Sequence, residues 1–302
     1  MSTSCSGELK MSIIETLLCC LLPGLPPRIP ASMSASVVTD LTTARLKRQP
    51  DIQLDGGACW ITGMMVVTPD TLLVSNNTNE CVQLVDSRKG RVLSQVQLKD
   101  APYQVCLTDR NTAAVNVGEK KIQMIQMKDK TLTLGKVLTV SNVIQGITSS
   151  RNSLVVSYGK PPWIDVVSMD GKVIHQFDGK SQHFISPCFM CTTPEGSVLI
   201  SDYGTNTITK VDACLNILQT FNSPRLEVPR GITAVTEDQI LVCSYDNNRI
   251  LLLQPSSETM STLLDEDDGI FRPYSLTYCP DQKKVFVASQ QGNKPIQVYQ
   301  IM

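Results

Sequence analysis

Short apolar runs separated by polar turns recur along most of the chain. The stretch 196–221, GSVLISDYGTNTITKVDACLNILQTF, contains one such unit. An apolar run ends at Ser201-Asp202, a turn of small polar residues follows, and the alternating run Ile208–Val211 leads through a second turn to a last run that ends at Phe221. Alternating apolar and polar positions, bounded by Asp, Asn, Gly and Thr, predict strand, turn, strand, turn, strand.

The unit repeats at a fixed period. Successive copies lie about 41–45 residues apart, which is the length of one four-stranded propeller blade. An apolar strand precedes each copy, and a tight turn rich in Asp, Asn and Pro separates the two. The pattern therefore predicts an all-β fold, a six-bladed β-propeller, with one long outer turn in the second blade at 127–135. The residues that close the six apolar runs are Val74, Val115, Val156, Ile200, Val242 and Val287.

The two ends of the repeat region predict how the ring closes. The sixth copy stops after its third strand, at Ile301-Met302, and the segment Ala44–Leu54 precedes the first blade. We expect this segment to supply the missing strand of the last blade and so to hold the two chain ends together. The propeller is predicted to span 44–302, and 1–43 is predicted to be a short irregular leader, mostly disordered or with a short helix. Its apolar stretch, Met11–Leu22, is too short to cross a bilayer.

Charge and cysteine content narrow the possible partners and compartments. The 302 residues carry a formal net charge of −1, so nothing global attracts nucleic acid or an anionic membrane. The eleven cysteines are odd in number and lack the spacing of a disulfide framework, which favours a reducing, cytoplasmic compartment. Cys188 and Cys191 form a CxxC motif, but no second ligand pair accompanies it, so we interpret it as structural. The sequence predicts no metal and no cofactor.

Two copies of the unit carry a more specific signature. The stretches SDYGTNTITKVD and VPRGITAVTEDQILVCSYDNNRILLL resemble the NHL repeat. That repeat has proline and Gly-Ile in its first strand, then an apolar strand, an Asn-rich turn and Arg-Ile or a similar pair. In the second, third and sixth blades the match is weaker. The residues that match in blade five are Pro229, Gly231, Ile232, Asn248, Arg249 and Ile250.

The amino-acid sequence of the repeats, including Thr131–Gly135, is similar to that of the C-terminal propeller of invertebrate tripartite-motif (TRIM) proteins. In that family a RING finger, B-boxes and a coiled coil precede the propeller, which binds substrate or RNA. This chain lacks the cysteine–histidine pattern of a RING or B-box. The resemblance therefore implies a non-catalytic substrate-binding module, and another domain or partner would have to supply ubiquitin-ligase activity.

One face of the predicted propeller carries most of the large recognition side chains. The loops that join the second strand to the third, and the fourth strand to the next blade, share this face, and nine of the fifteen aromatic residues fall on it. Aromatic and arginine side chains concentrate binding energy at interfaces. We therefore expect this face to bind a protein or peptide. The residues predicted to bind the partner are Trp60, Tyr103, Trp163, Tyr203, Arg230, Tyr245, Arg249, Arg272 and Tyr274.

Two other functions remain as alternatives. Aromatic rings beside arginines can stack RNA bases, but this face has about ten basic and about eleven acidic residues, whereas phosphate neutralisation needs a local excess of positive charge. A calcium-dependent propeller hydrolase or lyase would need oxygen ligands that converge on the central channel. Asn76, Asn116 and Asp202 fall at equivalent blade positions. Because these positions end second strands rather than channel-lining first strands, we expect them to cap turns.

Overall fold

The chain folds into twenty-four β-strands within residues 40–54, 59–177, 183–290 and 296–302, the parts described by a computed structural model. The strands are β1 (Leu46–Ile52), β2 (Ile61–Thr68), β3 (Thr71–Asn76), β4 (Cys81–Asp86), β5 (Arg91–Gln97), β6 (Pro102–Leu107), β7 (Thr112–Val117), β8 (Lys121–Lys128), β9 (Thr131–Thr139), β10 (Ile144–Ser150), β11 (Ser153–Tyr158), β12 (Trp163–Ser168), β13 (Val173–Gln176), β14 (Pro187–Thr192), β15 (Val198–Asp202), β16 (Thr207–Val211), β17 (Ile217–Asn222), β18 (Pro229–Thr236), β19 (Gln239–Ser244), β20 (Arg249–Gln254), β21 (Thr259–Leu264), β22 (Pro273–Cys279), β23 (Lys284–Ser289) and β24 (Ile296–Ile301).

These strands form six antiparallel sheets of four strands each, as the repeat predicts. Five sheets consist of consecutive strands: β2–β5, β6–β9, β10–β13, β14–β17 and β18–β21, which are blades one to five. Blade six has the order β1-β24-β23-β22. The innermost strand of each blade is its first strand, and the innermost strands of blades one and six contact each other. The six-bladed β-propeller is confirmed.

The strand that closes the ring comes from the start of the described chain. β1 pairs antiparallel with β24, from Leu46 opposite Ile301 to Ile52 opposite Ile296. The predicted closure is therefore confirmed. Pro50 lies where the pairing of this edge strand is interrupted, between Gln49 and Ile52, so its missing N–H removes no ladder bond.

Apolar side chains fill the space between every two adjacent blades. Six buried clusters are present, one for each of the six blade-to-blade contacts. The cluster between the last and first blades contains Phe286 and Val298 on one side and Met64 and Val74 on the other. Because the sixth contact is packed like the other five, no sheet face at this point is left exposed to water.

The outer turn of blade two is shorter than the sequence indicated. The prediction of a long turn at 127–135 is wrong, since β8 extends to Lys128 and β9 begins at Thr131. Asp129 and Lys130 form the turn with φ of 49° and 61°. Two successive left-handed residues give a tight hairpin turn whose twist matches that of the flanking strands.

A β-bulge occurs at the start of the innermost strand in all six blades. In blades one, three and five the third residue of this strand is a glycine, namely Gly63, Gly146 or Gly231. A Cβ on Gly146 would lie 1.7 Å from the carbonyl oxygen of Cys188 in blade four. At Gly63 and Gly231 a Cβ would come within 2.8 and 2.9 Å of backbone atoms in blades two and six. The innermost strands of blades one and two, three and four, and five and six thus approach each other backbone to backbone.

A buried glutamine joins three blades near the axis. The side-chain Nε2 of Gln104, in β6, donates to the carbonyl oxygen of Met190 in β14 at 2.6 Å. Its Oε1 accepts from the backbone N–H groups of Ile147 at 3.0 Å and Met190 at 3.3 Å. These bonds cross from blade two to blades three and four and hold the three innermost strands in register.

No helix of the length and apolarity needed to cross a membrane occurs in the described residues.

Substituting Gly146 by alanine is expected to destabilise the ring strongly. The new methyl group would meet a backbone carbonyl that cannot move without shifting β14, so the free energy of unfolding should fall by about 3 kcal/mol or more. Urea denaturation followed by circular dichroism measures this loss. Gly159→Ala is the control, because its nearest neighbours are side-chain atoms of Gln145, which can rotate away. Equal stability of the two variants would contradict the backbone contact.

Truncating the closing strand's buried side chain should also lower stability. Ile52 is 3% exposed and packs between blades six and one, so Ile52→Ala should reduce the free energy of unfolding by about 2–5 kcal/mol. The exposed Lys47 of the same strand provides the control, since Lys47→Ala removes no buried contact. Thermal melts that do not distinguish the two variants would mean that β1 does not hold the ring closed.

Candidate functional site

Six of the nine residues predicted to bind a partner lie together on one face of the propeller. They come from the loops and strand starts of blades one, four, five and six, where the innermost strands begin. We call this group the mouth cluster. Its members are Trp60, Tyr203, Arg230, Tyr245, Arg272 and Tyr274.

The bulges at the starts of the innermost strands position two members of the cluster. Arg230 and Tyr274 are each the second residue of their strand, within the irregular stretch of pairing. A bulge inserts one extra residue and redirects its side chain. The equivalent residues of the other four blades are Thr62, Tyr103, Gln145 and Cys188.

Arg230 is the centre of the mouth cluster. Its guanidinium carbon lies 4.3 Å from the ring centroid of Tyr203, 5.6 Å from that of Tyr274 and 5.8 Å from that of Tyr245. A cation this close to aromatic faces is attracted by their quadrupoles, by about 0.5–2 kcal/mol for each ring depending on exposure. Arg230 therefore holds three tyrosines from three different blades in one arrangement.

The outer members extend this arrangement. Trp60 meets Tyr274 edge to face at 5.2 Å between ring centroids. Arg272 lies 5.6 Å from the ring of Tyr245, and the Tyr245 hydroxyl donates to the side-chain carbonyl of Gln290. The rings are thus fixed by contacts within the protein, and little side-chain entropy remains to be lost when they meet a ligand.

Two buried hydrogen-bond donors of the cluster have no acceptor among the described residues. Nε of Arg230 and Nε1 of Trp60 are buried and have no hydrogen-bond partner in the described protein. None of the ion pairs formed among the described residues includes an arginine of the cluster. Burial raises the pKa of Tyr274 well above its ordinary value, although the charge of Arg230 opposes the shift. The tyrosine is therefore neutral at physiological pH.

Three predicted residues lie apart from the mouth cluster. Tyr103 is 37% exposed and begins the innermost strand of blade two, within electrostatic range of Tyr274. Trp163 packs on Tyr158 in blade three, with ring centroids 5.0 Å apart. Arg249 begins the third strand of blade five, opposite Ser244. Whether these three contact a partner stays a prediction.

Some aromatic residues of this face pack between the blades instead. Tyr158 is fully buried in the core between blades two and three, and Phe184 is buried between blades three and four. The sequence analysis missed Phe189, which meets Tyr274 edge to face at 5.3 Å. Its position inside the CxxC motif drew attention to the cysteines, but the blade repeat aligns it with the third residue of the innermost strand.

The oxygen-bearing residues proposed for a calcium site lie at the ends of second strands. Both carboxylate oxygens of Asp202 accept backbone N–H groups, from Ile185 at 2.7 Å and from Gly204 at 2.8 Å among others. Asn76 accepts the N–H of Asn79 at 3.3 Å. Asp202 and Asn76 thus cap turns, while the amide of Asn116 is buried without a partner. Among the described residues no group of three or more metal-ligating side chains converges.

The cysteines of the CxxC motif lie in the innermost strand of blade four, where Cys188 is buried and Cys191 is partly exposed. Burial raises the pKa of the Cys188 thiol and raises that of Cys191 to about 12. A thiol with a raised pKa is protonated at neutral pH and is a poor nucleophile. Cys188 instead packs in the core between blades four and five, within 3.5 Å of the carbonyl oxygen of Pro229.

Comparison with known proteins defines the class of this chain by its fold. No known sequence family matches the chain, and no curated protein matches it significantly. The fold is similar to a protein of unknown function from Bacteroides thetaiotaomicron VPI-5482, with a TM-score of 0.69 and 13% identity over 85% of this chain and 77% of that one. A streptogramin B lyase matches with a TM-score of 0.63 and 12% identity, over 87% of this chain and 100% of the lyase.

A third structure of the same kind is the Cps50 (Swd1) β-propeller domain of Myceliophteria thermophila, with a TM-score of 0.59 and 14% identity over 80% of this chain and 83% of that one. The chain thus belongs, by fold, to the β-propellers, a class that includes both enzymes and non-catalytic proteins. At such low identities the likeness extends to the fold alone.

Thiol labelling of the native protein tests the environment of the CxxC motif. Because the pKa values of Cys188 and Cys191 are raised by burial, iodoacetamide at pH 7.5 should leave both unmodified in the folded protein and modify both in guanidinium chloride. Mass spectrometry of the labelled peptides reads out each site. Rapid modification of either cysteine in the native state would indicate a thiolate and an accessible, chemically active motif.

Proposed function

We propose that this chain is a non-catalytic recognition module that binds a protein or peptide partner through the face that carries the mouth cluster. The resemblance of its repeats to the NHL repeat supports a role like that of the substrate-binding propellers of TRIM ubiquitin ligases. In that setting the propeller selects the partner, and a RING-bearing domain or protein supplies the ligase activity.

The mouth cluster is the observation that carries this proposal. Three tyrosines, a tryptophan and two arginines are gathered from four blades and fixed by contacts with one another. These residue types dominate the energetics of protein interfaces, and rigid aromatic side chains lose little entropy on binding. A rim of partly exposed rings around a fixed arginine suits a peptide that inserts one or two side chains.

RNA is the second candidate partner, and the charges near the cluster argue against it. Arg230 and Arg272 are the only cations of the mouth cluster, and the adjacent loops carry exposed acids, including Glu227, Asp246 and Glu266. Neutralising several phosphates needs several cations without intervening acids. A peptide imposes no such requirement.

An enzymatic function is the third candidate, because a streptogramin B lyase has the same fold. Its support in this chain is weak. The carboxylate of Asp202 is already bound by backbone N–H groups, and the raised pKa values of Cys188 and Cys191 keep both thiols protonated at neutral pH. A catalytic group would need free hydrogen-bond capacity toward a substrate.

The cysteines support a reducing, cytoplasmic compartment as part of the proposal. Cys81, Cys106, Cys188, Cys243 and Cys279 are buried free thiols. They fill space between strands as small apolar side chains. Persistence as thiols is typical of proteins kept in a reducing environment.

Panning a random twelve-residue peptide library against the full chain tests the proposed function. Peptides selected by the wild type should lose at least about tenfold in affinity when Arg230, Arg249 and Arg272 are replaced together by alanine, because the cationic part of the face is removed. The matched control replaces Arg88, Arg110 and Arg151, three exposed arginines in turns of the opposite face, and should bind as the wild type does.

The same variants distinguish the other candidates. If the chain binds a randomised RNA pool with a steep salt dependence and the face triple variant abolishes that binding, the RNA alternative replaces the peptide. If the peptides bind both triple variants equally, they bind another surface of the chain. Calcium binding by calorimetry, with an activity lost on chelation, would favour the enzyme.

A further inference from the structure

A groove beside the mouth cluster adds a second contact site to the same face. It lies between the turn that follows the second strand of blade four and the loop that leads into blade five, and its volume is about 540 Å³, within the range of ligand sites in proteins. We infer that this groove binds a basic side chain of the partner peptide, a lysine or an arginine, through the carboxylate of Glu227. This inference rests on the proposed function and specifies a residue that the peptide carries.

The two walls of the groove lead directly to residues of the mouth cluster. One wall begins two residues after Tyr203, and the other ends three residues before Arg230. The side-chain oxygen of Asn206 accepts the N–H of Val228 at 2.9 Å and joins the two walls. Because the guanidinium carbon of Arg230 lies 4.3 Å from the ring centroid of Tyr203, the groove and the cluster adjoin. Neighbouring residues of one bound peptide can therefore contact both.

The lining of the groove combines one charge with apolar and polar surface. Of the described residues that form it, Glu227 alone is charged, and its side chain is exposed. Pro224 and the buried Leu226 supply apolar surface, and Asn222 and Ser223 supply polar groups. A lysine or arginine places its apolar stem on surface of this kind and keeps its charged end in water or beside a carboxylate. The lining thus suits a basic side chain better than a neutral or an acidic one.

The position of Glu227 is fixed by its backbone, while its carboxylate stays accessible. Its N–H donates to the hydroxyl of Ser244 at 2.8 Å, and its carbonyl oxygen accepts the N–H of Asp246 at 3.4 Å. Among the described residues the carboxylate forms no ion pair. Asp246 is itself exposed, so a second acid lies next to Glu227 along the same edge. The groove therefore attracts a cation and repels a phosphate.

The two arginines closest to Glu227 in the sequence have contacts of their own. Nη1 of Arg225 donates to the carbonyl oxygen of Met260, in the outermost strand of blade five, at 3.4 Å. The guanidinium of Arg230 is held by the tyrosines of the mouth cluster. Neither arginine forms an ion pair with Glu227. These contacts leave Glu227 as the charged group that a ligand meets in the groove.

Peptides selected by the full chain from a random twelve-residue library test this inference. The selected peptides should share a lysine or an arginine at a fixed position. Replacing that residue by norleucine keeps an apolar stem and removes the charge, so binding to the wild type should weaken by about two- to fivefold, as expected for an accessible ion pair. The loss should become smaller at about 0.5 M sodium chloride, because salt screens an exposed pair.

Variants of Glu227 then locate the basic residue. Glu227→Gln removes the charge with little change of shape, so it should bind the basic peptide and its norleucine version equally well. Glu227→Lys should bind the basic peptide less well than the wild type and should prefer a version with glutamate at the same position. The matched control is Glu195→Gln, which changes an exposed acid in a turn of the opposite face and should bind as the wild type does. Thermal melting checks that each variant is folded.

The outcomes separate this inference from the proposed function. If the selected peptides lose affinity in Tyr203→Ala but share no basic residue, the mouth face binds peptides and this inference is wrong. If a basic residue is shared but Glu227→Gln distinguishes it from norleucine as well as the wild type does, another group binds it and the inference is also wrong. If no selected peptide depends on the mouth face, the proposed function itself fails, and this inference fails with it.

Discussion

The close approach of six innermost strands around one axis is the constraint on which this structure depends. A sheet that narrows toward the axis leaves little room for side chains between neighbouring innermost strands, and at three of the six blade contacts the backbones meet directly. Gly146 meets this requirement most directly, because any Cβ there would overlap the carbonyl oxygen of Cys188. Gly63 and Gly231 repeat the arrangement two blades away on either side. The ring is thus organised as three pairs of blades rather than six equal ones.

The same constraint positions the candidate site. Each innermost strand begins with a bulge that absorbs one extra residue before the strands converge. A bulged residue leaves the regular alternation and projects away from the sheet. In blades five and six this residue is Arg230 or Tyr274, and the Arg230 guanidinium carbon lies 5.6 Å from the Tyr274 ring centroid. The position of the candidate site is therefore a consequence of how the blades converge, and different residues fill the equivalent position in each blade.

Much of the fold, but less of the site, could be predicted from the sequence. Repeat period and alternation are local properties, so they predicted six blades and the closing role of β1. The turn at Asp129-Lys130 was misjudged because its second position holds a lysine, whereas a glycine usually follows the aspartate in a turn of this kind. The site residues could be assigned to one face of the propeller but not to one cluster, because the position of a residue around the propeller axis decides which other blades its side chain can reach. Tyr158 and Trp163 illustrate this limit: both belong to the face, but Tyr158 is fully buried and Trp163 packs on it.

Arg230 connects the stability of the ring to the proposed recognition site. By stacking on rings from blades four, five and six, it adds attraction between blades at the rim, where the buried apolar clusters end. Nε of Arg230 is buried without a hydrogen-bond partner among the described residues. This burial opposes stability, because a desolvated donor loses its hydrogen bonds to water. The favourable stacking and the unfavourable burial of Nε therefore oppose each other within one side chain. A ligand that contacts the partly exposed rings of Tyr203 and Tyr245 would bear on neighbouring blades at once, so binding at the proposed site and the cohesion of blades four to six should strengthen each other.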